Sequence, residues 1–138
     1  TGGSLIDSNF TGNYVFIAIY SSGHGGAVYW NGTGGSLSGS NFTGNYVFTD
    51  NYASERGGAV YWSGAYGNLT GSNFTGNYAS YGGAVYWTGI NGTLSASSFT
   101  GNNAITSGGA VDWEVIWISG AYLIGASSFA IPTDKFVS

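Results

Sequence analysis

The 138-residue chain predicts an all-β fold wound into a parallel β-helix, a solenoid of four to five coils with 25–32 residues in each. Three observations predict it. The hexapeptide Ser-Asn-Phe-Thr-Gly-Asn occupies 8–13, 40–45 and 72–77 and returns as Ser-Ser-Phe-Thr-Gly-Asn at 97–102. A second motif follows each time, Gly-Gly-Ala-Val-Tyr-Trp at 25–30, 57–62 and 82–87, then Gly-Gly-Ala-Val-Asp-Trp at 108–113. Gly-Gly, Asn-Gly and Ser-Gly pairs recur throughout and exclude a long helix, while the segments between them are short and β-prone. A repeat of this length, alternating two motifs in fixed order, is the mark of a stacked solenoid.

Taken in order, the coils fall at about 1–32, 33–64, 65–89 and 90–115, with a degenerate last coil at 116–138. Each opens on a strand carrying Leu or Ile five residues before the motif Phe: Leu5, Leu37, Leu69, Leu94 and Ile124 before Phe10, Phe42, Phe74, Phe99 and Phe129. In the last copy only Ser127, Ser128 and Phe129 survive, and Pro132 takes the place of the motif Asn. Gly and Asn then turn the chain toward the Ala-Val-Tyr-Trp strand. Between these two motifs, coils one and two carry about seven extra residues, Tyr14–Tyr20 and Tyr46–Tyr52. Equal lengths predict that the two insertions stack as an extra strand pair. A further insertion of about four residues is expected between Trp113 and Ile124. Length changes confined to corners are what a solenoid tolerates.

The copies also predict facing. The fifth position of the second motif holds Tyr29, Tyr61, Tyr86 and then Asp112, and a position that accepts an unpaired carboxylate must be wet. Alternation then turns Val28, Val60, Val85 and Val111 inward, with Trp30, Trp62, Trp87 and Trp113. The Leu and Phe columns complete the interior. Asn13, Asn45, Asn77 and Asn102 read as a structural turn ladder whose side-chain amides bond along the stack.

Composition narrows the function classes. Only 6% of residues are charged, against about 25% in an ordinary soluble domain. Two cations, Arg56 and Lys135, neither neutralise a row of phosphates nor anchor a polybasic segment, so nucleic acid and direct membrane insertion are not expected. No run approaches about 18 apolar residues. The absence of Cys removes disulfides and thiolate chemistry. No Met stands at position 1, which reads as a processed or excised piece.

The pairing of Phe-x-x-Asn (Phe10–Asn13, Phe42–Asn45, Phe74–Asn77, Phe99–Asn102) with Gly-Gly-Ala-Val resembles the repeats of polymorphic outer membrane proteins and of adhesin-like surface proteins. The resemblance covers about residues 1–113. It implies a right-handed β-helix, a cell-surface or extracellular location and structural motif residues, and it supplies no ligand.

No catalytic residue, metal or cofactor is expected. The rival readings are a carbohydrate-binding module and a carbohydrate-active β-helix enzyme using Asp112 and Glu114, which share one strand face at roughly 6.5–7 Å. Their bland reading is a polar patch that discourages edge pairing. His24 reads as a solvated turn residue, and the acids Asp7, Asp50, Glu55, Asp112, Glu114 and Asp134 form no ligand loop. The outward Tyr29, Tyr61 and Tyr86 offer a stacked platform for surface carbohydrate or a neighbouring molecule, or simple ladder stabilisation. The Thr11, Thr43, Thr75 and Thr100 column lacks the Thr-x-Thr array of an ice-binding face. Asn9, Asn31, Asn41, Asn68, Asn73 and Asn91 are acceptors for N-glycosylation, and Asn9, Asn41, Asn68 and Asn73 precede inward residues and so face out. Val15, Phe16, Ile17 and Ile19 make an insertion too apolar for a free loop, a candidate contact surface. Thr1 begins in mid-repeat, so either more coils precede it or another copy docks there, head to tail or laterally.

Overall fold

The computed structural model describes residues 2–17, 23–49, 55–113, 116–119, 122–124 and 129–130. Their strands form a parallel β-helix: four sheets run along the stack, each taking one strand position from successive coils. The leucine sheet holds Ser4–Ile6, Ser36–Ser38, Asn68–Thr70, Gly92–Ser95 and Ile116–Ser119. The phenylalanine sheet holds Asn9–Thr11, Asn41–Thr43, Asn73–Thr75, Ser98–Thr100 and Tyr122–Ile124. The tryptophan sheet is built from Val28–Trp30, Val60–Trp62, Val85–Trp87, Val111–Trp113 and Phe129–Ala130. A tyrosine sheet fills the fourth side, from Tyr14–Ile17, Gly23–His24, Tyr46–Thr49, Glu55–Arg56, Tyr78–Tyr81 and Asn103–Ser107.

Like residues stack on like because the coils pair in register. Phe10, Phe42, Phe74 and Phe99 are Cα partners, with ring centroids 4.8–4.9 Å apart and planes within 6° of parallel. Trp30, Trp62 and Trp87 repeat the arrangement at 4.9 and 4.6 Å. Both match the strand spacing of about 4.7–4.9 Å, so the backbone ladder itself sets the stacking distance. Leu37, Phe42, Val60 and Trp62 in the second coil are fully buried, as are their equivalents in the third. The inward facing expected of the Val, Trp, Leu and Phe columns is therefore observed. Trp62 and Trp87 bury their indole Nε1 without a hydrogen-bond partner, wedged against Gly67 and Gly92. An unpaired N–H costs about 1–3 kcal/mol, less than the roughly 4–6 kcal/mol that burying 150–250 Å² of indole returns.

Three-residue strands end because left-handed residues turn the chain. Gly12, Gly44, Gly76 and Gly101 follow the phenylalanine strands at φ of 60–62°. In the Gly-Gly pair the two members act differently. Gly57 has φ +68°, whereas a Cβ on Gly58 would lie 2.0 Å from the Gly83 carbonyl oxygen of the next coil. The first glycine supplies a backbone angle and the second lets two coils touch.

Two corners carry polar ladders. Asn45, Asn77 and Asn102 are buried, and each Oδ1 accepts the backbone N–H and the Nδ2 of the motif Asn one coil earlier. Their Nδ2 groups also donate to the carbonyls of Phe10, Phe42 and Phe74. At the other corner Ser40, Ser72 and Ser97 are equally buried. Each Oγ accepts the N–H of the preceding coil's Ser and donates to the carbonyl two residues upstream, Ser38, Thr70 or Ser95. Buried polar groups satisfied in this way fix the register of every rung.

The insertions extend one side. Tyr14–Ile17 pairs with Tyr46–Thr49, Val15 on Val47, Phe16 on Phe48 and Ile17 on Thr49. The third coil has no insertion, and Tyr78–Tyr81 runs straight across, pairing Tyr78 with Tyr46 and Tyr81 with Arg56.

Four expectations are corrected. Phe129 does not extend the phenylalanine column: it pairs with Val111, while Leu123 sits on Phe99 and Ile118 on Leu94. The spacing Ile118–Leu123 repeats Leu94–Phe99, so no insertion separates Trp113 from the next rung, and Ile124 lies on Thr100. Aligning on Ser-Ser-Phe favoured residue identity over the apolar spacing that packing requires. Val15 belongs to an inward column, since its partner Val47 is fully buried, and it is removed from the contact surface. His24 lies on a strand rather than in a solvated turn.

Candidate functional site

The described residues enclose no cleft. The most differentiated face joins the tyrosine and tryptophan sheets. Tyr29, Tyr61, Tyr86 and Asp112 form an in-register row on the outer side of the tryptophan sheet. Beside it runs a second row, His24, Arg56 and Tyr81, at the end of the tyrosine sheet.

The two rows lean on each other. Tyr29–Tyr61 and Tyr61–Tyr86 centroids stand 5.1 and 5.4 Å apart with planes within 10° of parallel. The His24 ring lies 4.5 Å from that of Tyr61 and 6.1 Å from that of Tyr29. One coil on, the Arg56 guanidinium carbon sits 5.3 Å from the centre of the Tyr86 ring, a cation–π distance. Tyr81 meets Tyr86 edge-on at 6.4 Å. The ring faces of the inner tyrosines are thus spent on their neighbours, and a ligand meets ring edges and hydroxyls, not a flat platform. Tyr29, at 54% exposure, is the most open of the row.

Electrostatics on this face centre on Arg56, the single Lys or Arg among the described residues. Burial holds the His24 pKa below its ordinary value, the positive charge of Arg56 lowers it further, and a backbone hydrogen bond at Gly23 opposes both. His24 Nδ1 is buried and makes no hydrogen bond.

A second outward tyrosine row, Tyr14, Tyr46 and Tyr78, crosses the tyrosine sheet. Tyr14 and Tyr46 are 62% and 38% exposed and stack at 5.4 Å. Sequence reasoning passed over this row because two of its members open the insertions. The signal was the Tyr that follows the motif Asn in three copies.

All six glycosylation acceptors are exposed. Asn9, Asn41 and Asn73 share one column: Asn41 Nδ2 donates to Asn9 Oδ1 and Asn73 Nδ2 to Asn41 Oδ1, both at 2.9 Å. Ser98 Oγ donates to Asn73 Oδ1. Asn68 Oδ1 accepts from Thr93 Oγ1 at 2.9 Å, Asn31 lies in a corner, and Asn91 occupies a left-handed turn at φ 54°. Thr11, Thr43 and Thr75 are exposed in a parallel column.

Of the expected acid pair, Asp112 stands half-exposed at the end of the tyrosine row and Glu114 lies outside the described residues. Ile19 lies outside them too, and Phe16 and Ile17 are described by their backbone pairing alone. No group of three or more His, Asp or Glu side chains gathers to hold a metal among the described residues.

Fold and face together define a repeat-built parallel β-helix with a stacked interior and outward side-chain rows. Residues 39–61 match the family model of the Chlamydia polymorphic membrane protein repeat. That stretch spans one full pairing of the two motifs, from Ser40-Asn41-Phe42 through Gly57-Gly58-Ala59-Val60. No curated protein and no solved structure matches the chain.

Proposed function

We propose that the chain is a non-catalytic structural and adhesive element of a cell surface or the extracellular space, a rigid rod whose outer rows make contacts. The carrying observation is the polymorphic membrane protein repeat at 39–61, a repeat type that points to a surface, adhesin-like protein. The inward columns are consumed by the core, and the outward Tyr29–Tyr61–Tyr86 row with its His24–Arg56 flank supplies the contact face. Adhesion of beads coated with the protein to host or neighbouring cells tests the reading. Binding above uncoated beads, reduced when Tyr29, Tyr61 and Arg56 are changed together, is the expected result; beads that bind no cells overturn it. Replacing Asp112 and Glu114 by Ala and assaying polysaccharide cleavage tests the rival enzyme, and cleavage lost in the double variant would establish it.

A second reading takes its form from the stacking inside the chain, where coil pairs with coil in parallel: copies stack end to end in the same way into a filament, a heterologous and open-ended association. Electron microscopy of concentrated protein should show fibres one rod wide; dispersed monomers count against it.

A further inference from the structure

We infer that the face built by His24, Arg56, Tyr61 and Tyr86 receives the carboxylate of a singly acidic sugar residue, a sialic or uronic acid at the end of a glycan. The inference rests on the reading of this face as a contact surface and names its ligand. Arg56 is the lone described cation of a chain carrying a net charge of −4. Such a chain repels polyanions, so neither nucleic acid nor a sulfated polysaccharide fits, while one carboxylate at one guanidinium does. The side chain lies along the Tyr86 ring at 5.3 Å, and a guanidinium held in this way gives up little freedom when a carboxylate takes its paired N–H groups.

The surroundings favour a sugar over an acidic peptide. A peptide is commonly bound by adding a strand to a free sheet edge, and the strands that carry Arg56, Tyr61 and Tyr86 are paired on both sides, His24 alone lying on an end strand. What the face offers instead are tyrosine edges and hydroxyls at rung spacing, suited to a ring that bears hydroxyls. The imidazole of His24 lies on the neighbouring rung, stacked 4.5 Å from Tyr61, and its ring reports on the face.

The test is titration of the whole chain, by calorimetry and by NMR of the His24 ring, with three probes: sialyllactose, a glucuronic-acid-terminated disaccharide and neutral lactose. The expected result is binding of at least one acidic probe at least tenfold tighter than lactose, with the His24 signals shifting; which acid binds identifies the source. Arg56→Gln should bring acidic binding down about tenfold, to the lactose level, and Arg56→Lys should lie between. Melting temperatures establish that both variants fold, and should Arg56→Gln fail to fold, the lysine variant and the His24 shifts carry the comparison. Lactose bound as well as the acids, no acidic probe bound, or Arg56→Gln without effect each overturns the inference. Beads that adhere to cells without discriminating acidic from neutral sugars would leave the contact surface standing and remove only the acid.

Discussion

Asn77 Oδ1 accepts two hydrogen bonds from Asn45, from the backbone N–H at 2.9 Å and from Nδ2 at 3.1 Å, while its own Nδ2 reaches the Phe42 carbonyl at 3.0 Å. One buried side chain therefore ties three segments of two coils. Asn77→Ala strands two donors on Asn45, each costing about 1–3 kcal/mol when buried unpaired, so a loss of about 3–4 kcal/mol is expected in urea unfolding. Asn13 is exposed and its Nδ2 donates to Asn45 Oδ1, so Asn13→Ala, which leaves no buried donor stranded, should cost below about 1 kcal/mol. Equal losses at the two positions would refute the ladder as a source of stability.

The paired glycines make a sharper contrast. A Cβ on Gly58 would fall 2.0 Å from Gly83 O and 2.5 Å from Tyr78 O, backbone atoms that cannot yield without parting the coils. Gly76 has φ +62° and open space around it. Gly76→Ala should cost about 1–2 kcal/mol, the left-handed penalty alone, whereas Gly58→Ala should exceed about 4 kcal/mol or abolish folding. Thermal melts of the two variants decide, and a mild Gly58→Ala would mean the coils stand farther apart than 2.0 Å allows.

The β-helix was legible because Phe10, Phe42, Phe74 and Phe99 return in register with unchanged turns, and facing was legible because Asp112 replaces Tyr at one outward position. The last coil was not. Leu123 standing in for Phe keeps the spacing and loses the identity, and the eye follows identity toward Phe129. The His24–Arg56–Tyr81 row was equally hidden, for its members share no chemistry and are separated by insertions in two coils and none in the third. Only backbone pairing brings them together. The Ser40–Ser72–Ser97 ladder was printed in the motif's first residue, yet Ser in a turn carries no signal of burial.

Ala96 holds φ +49° at the corner where Gly39 and Gly71 stand in the second and third coils. An alanine there bears a left-handed strain of about 1–2 kcal/mol, offset in a glycine variant by about 0.4–1 kcal/mol of unfolded-state entropy. Ala96→Gly should therefore stabilise by up to about 1 kcal/mol and raise the melting temperature by a few degrees. A lower melting temperature would show that the Ala96 methyl makes contacts worth more than the strain.

His24 makes stability depend on pH in a defined direction. Burial first and Arg56 second hold its folded pKa below the unfolded value of about 6.5. The unfolded chain thus binds the proton more readily, and stability is full above the unfolded pKa and declines as pH falls through it toward the folded value. Melting temperature should drop between about pH 7.5 and pH 5.5. In His24→Phe, which keeps a ring beside Tyr61, that part of the slope should vanish. A slope unchanged in the variant would assign the effect to the carboxylates instead.

Glycan placement follows from the Asn9–Asn41–Asn73 column. Adjacent rungs are about 4.8 Å apart, closer than two sugar rings can sit side by side. Asn41 is bonded on both sides, its Nδ2 to Asn9 and its Oδ1 to the Nδ2 of Asn73, whereas Asn31 and Asn91 stand in exposed corners. Secreted from a glycosylating host, the protein should carry glycans at Asn31 and Asn91 and leave Asn41 bare, with no molecule modified on two neighbouring rungs of the column. Peptide mapping of the intact and deglycosylated protein reads this directly. Occupancy of Asn41 together with Asn9 or Asn73 would mean that glycosylation precedes the stack and holds the column open.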